Sequence, residues 1–149
     1  RSSAASDVYK RQGQILKEGS KDGNNAGGNV AIIAVGSMVE ETYKAIDMLE
    51  KENVHPAFVN PVFIKPMDTE LIKRVAENHK HIIVVEEGIK KGGFGESVET
   101  FILESGIDAD VQVMAIDDRF VEQGNVALLR EEIGISYKNI YEKVMELTR

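Results

Sequence analysis

Apolar residues along this chain come in two rhythms that alternate. Val30-Ala31-Ile32-Ile33-Ala34-Val35 is an unbroken apolar run between Asn29 and Gly36, the signature of a strand whose two faces are both covered. The period then changes: Val39, Tyr43 and Ile46 recur at helical spacing and give way to charge at Glu50, which predicts a helix ending near Asn53. Ser37 and Glu40 stand at capping-box spacing ahead of it, where a hydroxyl and a carboxylate satisfy free amides of the first turn. A second strand lies within 56–64, with Pro61 marking an edge or a strand end because it brings no ladder donor. Pro66 and Asp68 announce a helix whose Leu71, Ile72, Val75 and Ala76 form one stripe.

The alternation repeats. His81-Ile82-Ile83-Val84-Val85 reads as a third strand, Val98, Phe101 and Ile102 as the face of a third helix, and Val111 to Ile116 as a fourth strand. Residues 117–124 are expected to be a loop, 126–133 a short helix closed by Gly134, and Ser136 caps a last helix carrying Ile140, Tyr141, Val144 and Leu147. Ahead of these elements, Gln14-Ile15-Leu16-Lys17 has the alternation of an edge strand, and the Gly-, Asn- and Lys-rich stretch 19–28 is an exposed loop. Strands and helices in turn, joined by short links, imply an α/β fold: a three-layer sandwich with a mostly parallel sheet and helices on both faces. A single sequence leaves the strand order open.

Composition narrows the class. With 149 residues, 42% hydrophobic and 29% charged, the chain holds enough apolar material for one core. Eighteen basic against 25 acidic residues give a net charge of −7, which argues against nucleic acid or an anionic membrane as partner and leaves proteins and small molecules. Cysteine is absent, so disulfides and thiolate chemistry are excluded and a cytoplasmic setting is expected. The longest apolar run, Val30 to Val35, is far short of the roughly 20 residues of a membrane span, and no secretion signal is expected. The chain opens on Arg1, and 1–12 show no period. A fragment of a longer reading frame is expected, with 1–12 an unstructured leader or sequencing scar and 13–149 the domain.

In a parallel α/β sheet, ligands and partners meet the loops at the carboxyl ends of the strands. Those loops are Gly36-Ser37, 60–65, 86–95 and 117–124. Gly92-Gly93-Phe94-Gly95 is richest in glycine and could offer bare amides to an anion. Neither phosphate-loop signature is complete, because Phe94 stands where lysine is required and Val98 where a third glycine would fall. A tight structural turn or a domain contact is the preferred reading, with Gly93 and Gly95 needed for positive-φ backbone. Glu86 and Glu87 are tempting as an acid/base pair, but strand neighbours point to opposite faces, so one of them bonding the glycine loop is expected instead. His79 and His81 lack further ligands for a metal, His55 reads as a surface residue, and Asp117, Asp118 and Arg119 suit loop capping and ion pairing better than an active site. Ser37 has no nucleophile elbow around it, and the five methionines are scattered among core positions.

Taken in order, these loops resemble the transketolase C-terminal domain, as found in the deoxyxylulose-phosphate synthases and in the beta subunits of 2-oxo-acid dehydrogenases. The resemblance rests on Asn29 to Val39, on Val62-Phe63-Ile64-Lys65-Pro66-Met67-Asp68, and on Val85-Glu86-Glu87-Gly88 with Gly92 to Gly95. The tail Asp118-Arg119-Phe120-Val121-Glu122-Gln123-Gly124, followed by Leu129-Arg130 and Gly134-Ile135, is similar to that of the synthases. Many members carry histidine where this chain has Gln123. The similarity runs from about residue 13 to 147. It implies a parent enzyme that joins pyruvate to glyceraldehyde 3-phosphate with loss of carbon dioxide, giving 1-deoxy-D-xylulose 5-phosphate for isoprenoid, thiamine and pyridoxal synthesis. Thiamine diphosphate and magnesium serve such enzymes, which are homodimers.

Cofactor and catalytic residues belong there mainly to two preceding domains, which the present domain buttresses together with the dimer. The Gly-Asp-Gly cofactor motif is absent, Asp22-Gly23-Asn24 lacking its first glycine, so no catalytic, cofactor-binding or metal residue is carried over. The expected role is a structural and docking domain whose partners are the upstream domains. Its candidate domain-contact or anion-binding residues are Gly36, Ser37, Glu86, Glu87, Gly92, Gly93, Phe94, Gly95, Asp118, Arg119, Phe120, Gln123 and Gly124. The alternatives are a 2-oxo-acid dehydrogenase beta subunit and a stand-alone anion-binding regulatory module. Deleting 1–12 is expected to change unfolding free energy in urea by less than about 1 kcal/mol, the scale of an ordinary point substitution; a larger fall would show that the leader packs on the domain.

Overall fold

A computed structural model describes residues 13–19, 27–61, 66–116 and 134–148. The leader 1–12 and the closing loop and short helix expected at 117–133 lie outside the described residues, as do Asp118, Arg119, Phe120, Gln123 and Gly124. In chain order the elements are β1 Gln14–Lys17, β2 Val30–Ala34, α1 Met38–Lys51, β3 Ala57–Asn60, α2 Thr69–Asn78, β4 His81–Ile89, α3 Phe94–Glu104, β5 Asp110–Ile116 and α4 Tyr137–Thr148. They build a five-stranded sheet of order β1-β3-β2-β4-β5. β3, β2, β4 and β5 run parallel, and β1 closes one edge antiparallel to β3. Chain order steps from β2 outward to β3, then crosses back over β2 to β4. The winding therefore reverses between β2 and β4, which is where the crevice of an open α/β sheet opens.

Every side chain of β2 is buried, as the unbroken apolar run requires. Period-2 alternation divides the sheet between two cores. Val30, Ile32, Ala34, Phe58, Ile83 and Val85 pack with α1 and α4 on one face, whereas Ala31, Ile33, Ala57, Val59, Ile82 and Val84 pack with α2 and α3 on the other. The three-layer sandwich expected from the alternation is present. The edge strand expected at 14–17 is also present, short and interrupted between Ile15 and Lys17. Pro61 marks the end of β3, which is an interior strand.

The buried stripe of α1 differs from the one the spacing suggests. Met38, Glu41, Thr42, Ala45, Ile46 and Leu49 face inward, while Val39 is half-buried and Tyr43 exposed. The helix lies against both the sheet and α4, and this rotates the stripe by one position. Thr42 is accommodated in the interior by donating its hydroxyl to the Met38 carbonyl at 2.7 Å, and Tyr43 meets the edge of Phe58 with ring centroids 5.0 Å apart.

Two helices end on the same device. The amides of Val54 and Asn53 return to the carbonyls of Leu49 and Glu50, and those of Ile107 and Gly106 return to Ile102 and Leu103. Each is a Schellman closure, in which the residue after the cap turns left-handed and an apolar side chain folds back on the last turn. Gly106 serves one end at φ 70°, and Asn53 serves the other at φ 58°. Left-handed backbone costs a residue with a β-carbon about 1–2 kcal/mol, and least for asparagine. Asn53→Gly is therefore expected to leave the urea midpoint unchanged or slightly raised, whereas Asn53→Val lowers stability by about 1–2 kcal/mol.

Candidate functional site

The parallel winding sends all four described helices off from the carboxyl end of the sheet. Each helix start carries roughly half a positive charge and unpaired amides, so this rim is where an α/β protein ordinarily takes an anionic ligand. Here the chain supplies its own acidic side chains. At α2, the Asp68 carboxylate accepts from the Leu71 amide at 3.1 Å, and its second oxygen accepts from the Gly13 amide at 3.2 Å. At α4, the Tyr137 amide donates to Glu41 at 2.9 Å, a buried carboxylate reaching over from the first turn of α1. Ser136 and its amide both donate to the Asn139 side chain, at 2.6 and 3.1 Å, so Ser136 opens α4 as expected but as a donor.

Of the adjacent glutamates, one serves the start of α3 and the other pairs with Ser37 ahead of α1. β4 loses register against β5 between Val85 and Ile89, a bulge of the kind that re-aims side chains at strand ends. Glu86 turns toward α3. Only 5% exposed, it accepts from the Phe94 amide at 3.2 Å with one oxygen and from the Gly95 amide with the other. Glu87 turns toward α1 and accepts from the Ser37 hydroxyl. Because Ser37 follows β2 and Glu87 lies near the end of β4, that bond spans the crevice at which the winding reverses. The neighbours thus serve opposite faces of the sheet.

Two expectations are corrected at these positions. Ser37 and Glu40 make no capping box: Ser37 has helical backbone where a cap needs an extended one, and makes no side-chain cap bond, while the Met38 and Val39 amides reach the carbonyls of Val35 and Gly36. The Ser37 hydroxyl is left to pair with Glu87. Gly93 does not require positive φ either, since its φ is −85°; the left-handed residue of the loop is Gly92, at φ 73°. Gly95 is required for space. A β-carbon there would stand 2.4 Å from Val113 Cγ1 and 2.9 Å from Glu86 Oε2, well inside contact distance. The absence of a side chain lets α3 start against β5 and the Glu86 carboxylate together.

The glycine loop is therefore internally satisfied. Gly92 donates to the Glu96 carboxylate at 2.9 Å, Gly93 to the Lys90 carbonyl at 3.1 Å, and Phe94 and Gly95 to Glu86. Elsewhere, His79 bonds the Val75 carbonyl at 2.8 Å, His55 the Asn53 side chain at 3.1 Å, and His81 lies 3.5 Å from Asp110. No group of metal-ligating side chains occurs among the described residues. A cavity of about 320 Å³ between β5 and α4, bordered by Val113, Ile135, Asn139 and Lys143, offers mixed apolar and charged walls. Sequence reading missed Glu41, since nothing in its helical spacing distinguishes it from a solvated glutamate until α4 is placed beside it.

This geometry defines an α/β domain of doubly wound type whose ligand rim is filled by its own carboxylates. The family model for the transketolase C-terminal domain matches residues 21–140, and the chain belongs to that family. Among its relatives, a 1-deoxy-D-xylulose-5-phosphate synthase of Dehalococcoides mccartyi strain 195 is 40% identical over 82% of this chain and 19% of the relative. Those of Heliobacterium modesticaldum and Clostridium beijerinckii are 35% and 33% identical over 91% and 95% of this chain. The chain thus spans about a fifth of the length of the curated relatives it matches. A solved structure described as a split-gene transketolase, inactive beta4 tetramer, is 26% identical with a TM-score of 0.78, covering 94% of this chain and 44% of that one.

Removing Glu86 would orphan two buried amides, each at a cost of about 1–3 kcal/mol. Glu86→Ala is accordingly expected to lower stability by about 2–5 kcal/mol and Glu86→Gln by less, because the amide keeps one acceptor oxygen. Glu87→Ala, at the exposed pair, is expected to cost under about 1 kcal/mol; urea titrations of the three variants give the ranking.

Proposed function

We propose that this chain is the C-terminal domain of a thiamine-diphosphate-dependent synthase that condenses pyruvate with glyceraldehyde 3-phosphate to 1-deoxy-D-xylulose 5-phosphate, releasing carbon dioxide. Within it the domain is structural: it docks against the upstream domains and the dimer, and holds no active site of its own. One observation carries this reading: the crevice between β2 and β4 is bridged by Ser37 and Glu87, and the adjoining glycine-loop amides are taken by Glu86 and Glu96. An anionic cofactor or effector finds its usual donors already used. The same occupancy disfavours a stand-alone anion-binding module.

Synthase relatives matching most of the chain at 33–40% identity support the parent assignment, the match covering about a fifth of their length. Thiamine diphosphate supplies the carbanion chemistry of such a parent, with magnesium on its diphosphate. The described residues of this chain do not fit that group, for the reasons of donor occupancy just given, so its site is assigned to the upstream domains. A cytoplasmic homodimer is the assembly proposed for the parent. Among the described residues no helix is long and apolar enough to cross a membrane.

The test is direct. The purified chain, incubated with pyruvate, glyceraldehyde 3-phosphate, thiamine diphosphate and magnesium, is expected to bind no cofactor by calorimetry and to give no product above a no-protein control. Joined to its upstream domains it is expected to do both. Cofactor-dependent turnover by the chain alone would overturn the docking role.

A further inference from the structure

We draw no further inference here: the strongest candidate, the cavity of about 320 Å³ between β5 and α4, carries nothing, because the chain leaves β5 at Ile116 and returns at Gly134 beside it through residues that lie outside the described ones, and nothing in the structure shows what fills or covers it.

Discussion

A single carboxylate decides how the third helix is seated against this sheet. Glu86 leaves β4 at a bulge, is carried into the interior, and bonds the first amides of α3 with both oxygens. A carboxyl group so deeply buried is tolerable because the helix start supplies hydrogen-bond donors at the same place. The requirement runs outward from there. Gly95 must lack a side chain for the amides to come within reach of both Glu86 and β5. Strand alternation turns Glu86 inward and, by the same step, aims Glu87 at the opposite face, where it accepts from Ser37. The crevice between β2 and β4 is closed as a by-product of seating α3.

The same solution recurs at helix starts that do not touch one another. Asp68 serves α2, and Glu41 serves α4 from across the α1 interface. In many α/β enzymes the carboxyl rim is a ring of positive helix ends waiting for phosphate; here it is discharged from within. These amides are satisfied without a ligand, which suits the docking role proposed above. Their satisfaction also accounts for a glycine loop that looks like a phosphate cradle in composition and does not act as one in geometry.

Much of the fold was legible in the sequence because the two apolar periods are strong. The run at 30–35 and the stripe at 71–76 each had one sensible structural home, and the opposed directions of Glu86 and Glu87 followed from strand alternation alone. Strand order was not legible, since every parallel crossover in the chain is compatible with more than one neighbour. The α1 stripe was misplaced by one position because Thr42 and Glu41, polar by type, are buried by partners that only the packed structure supplies. Capping at Ser37 failed because its backbone is helical, and spacing cannot show a residue's torsion. Gly95 was singled out correctly but for backbone torsion, when the constraint is the 2.4 Å approach to Val113.

The shared use of Asp68 has a mechanical consequence. One oxygen holds the backbone at Gly13 and the other starts α2, so tension arriving along the preceding chain is divided between the sheet and a helix before it reaches either core. β1 meets that pull at its first residue, with Gln14 opposite Asn60, and its ladder is loaded one rung at a time. The Asp68 clamp stands ahead of the first rung. In the arrangement proposed above, relative motion of an upstream body would therefore strain a part-buried bond at the start of α2 first, leaving the buried parallel strands unstressed until that bond and the short edge strand had both let go.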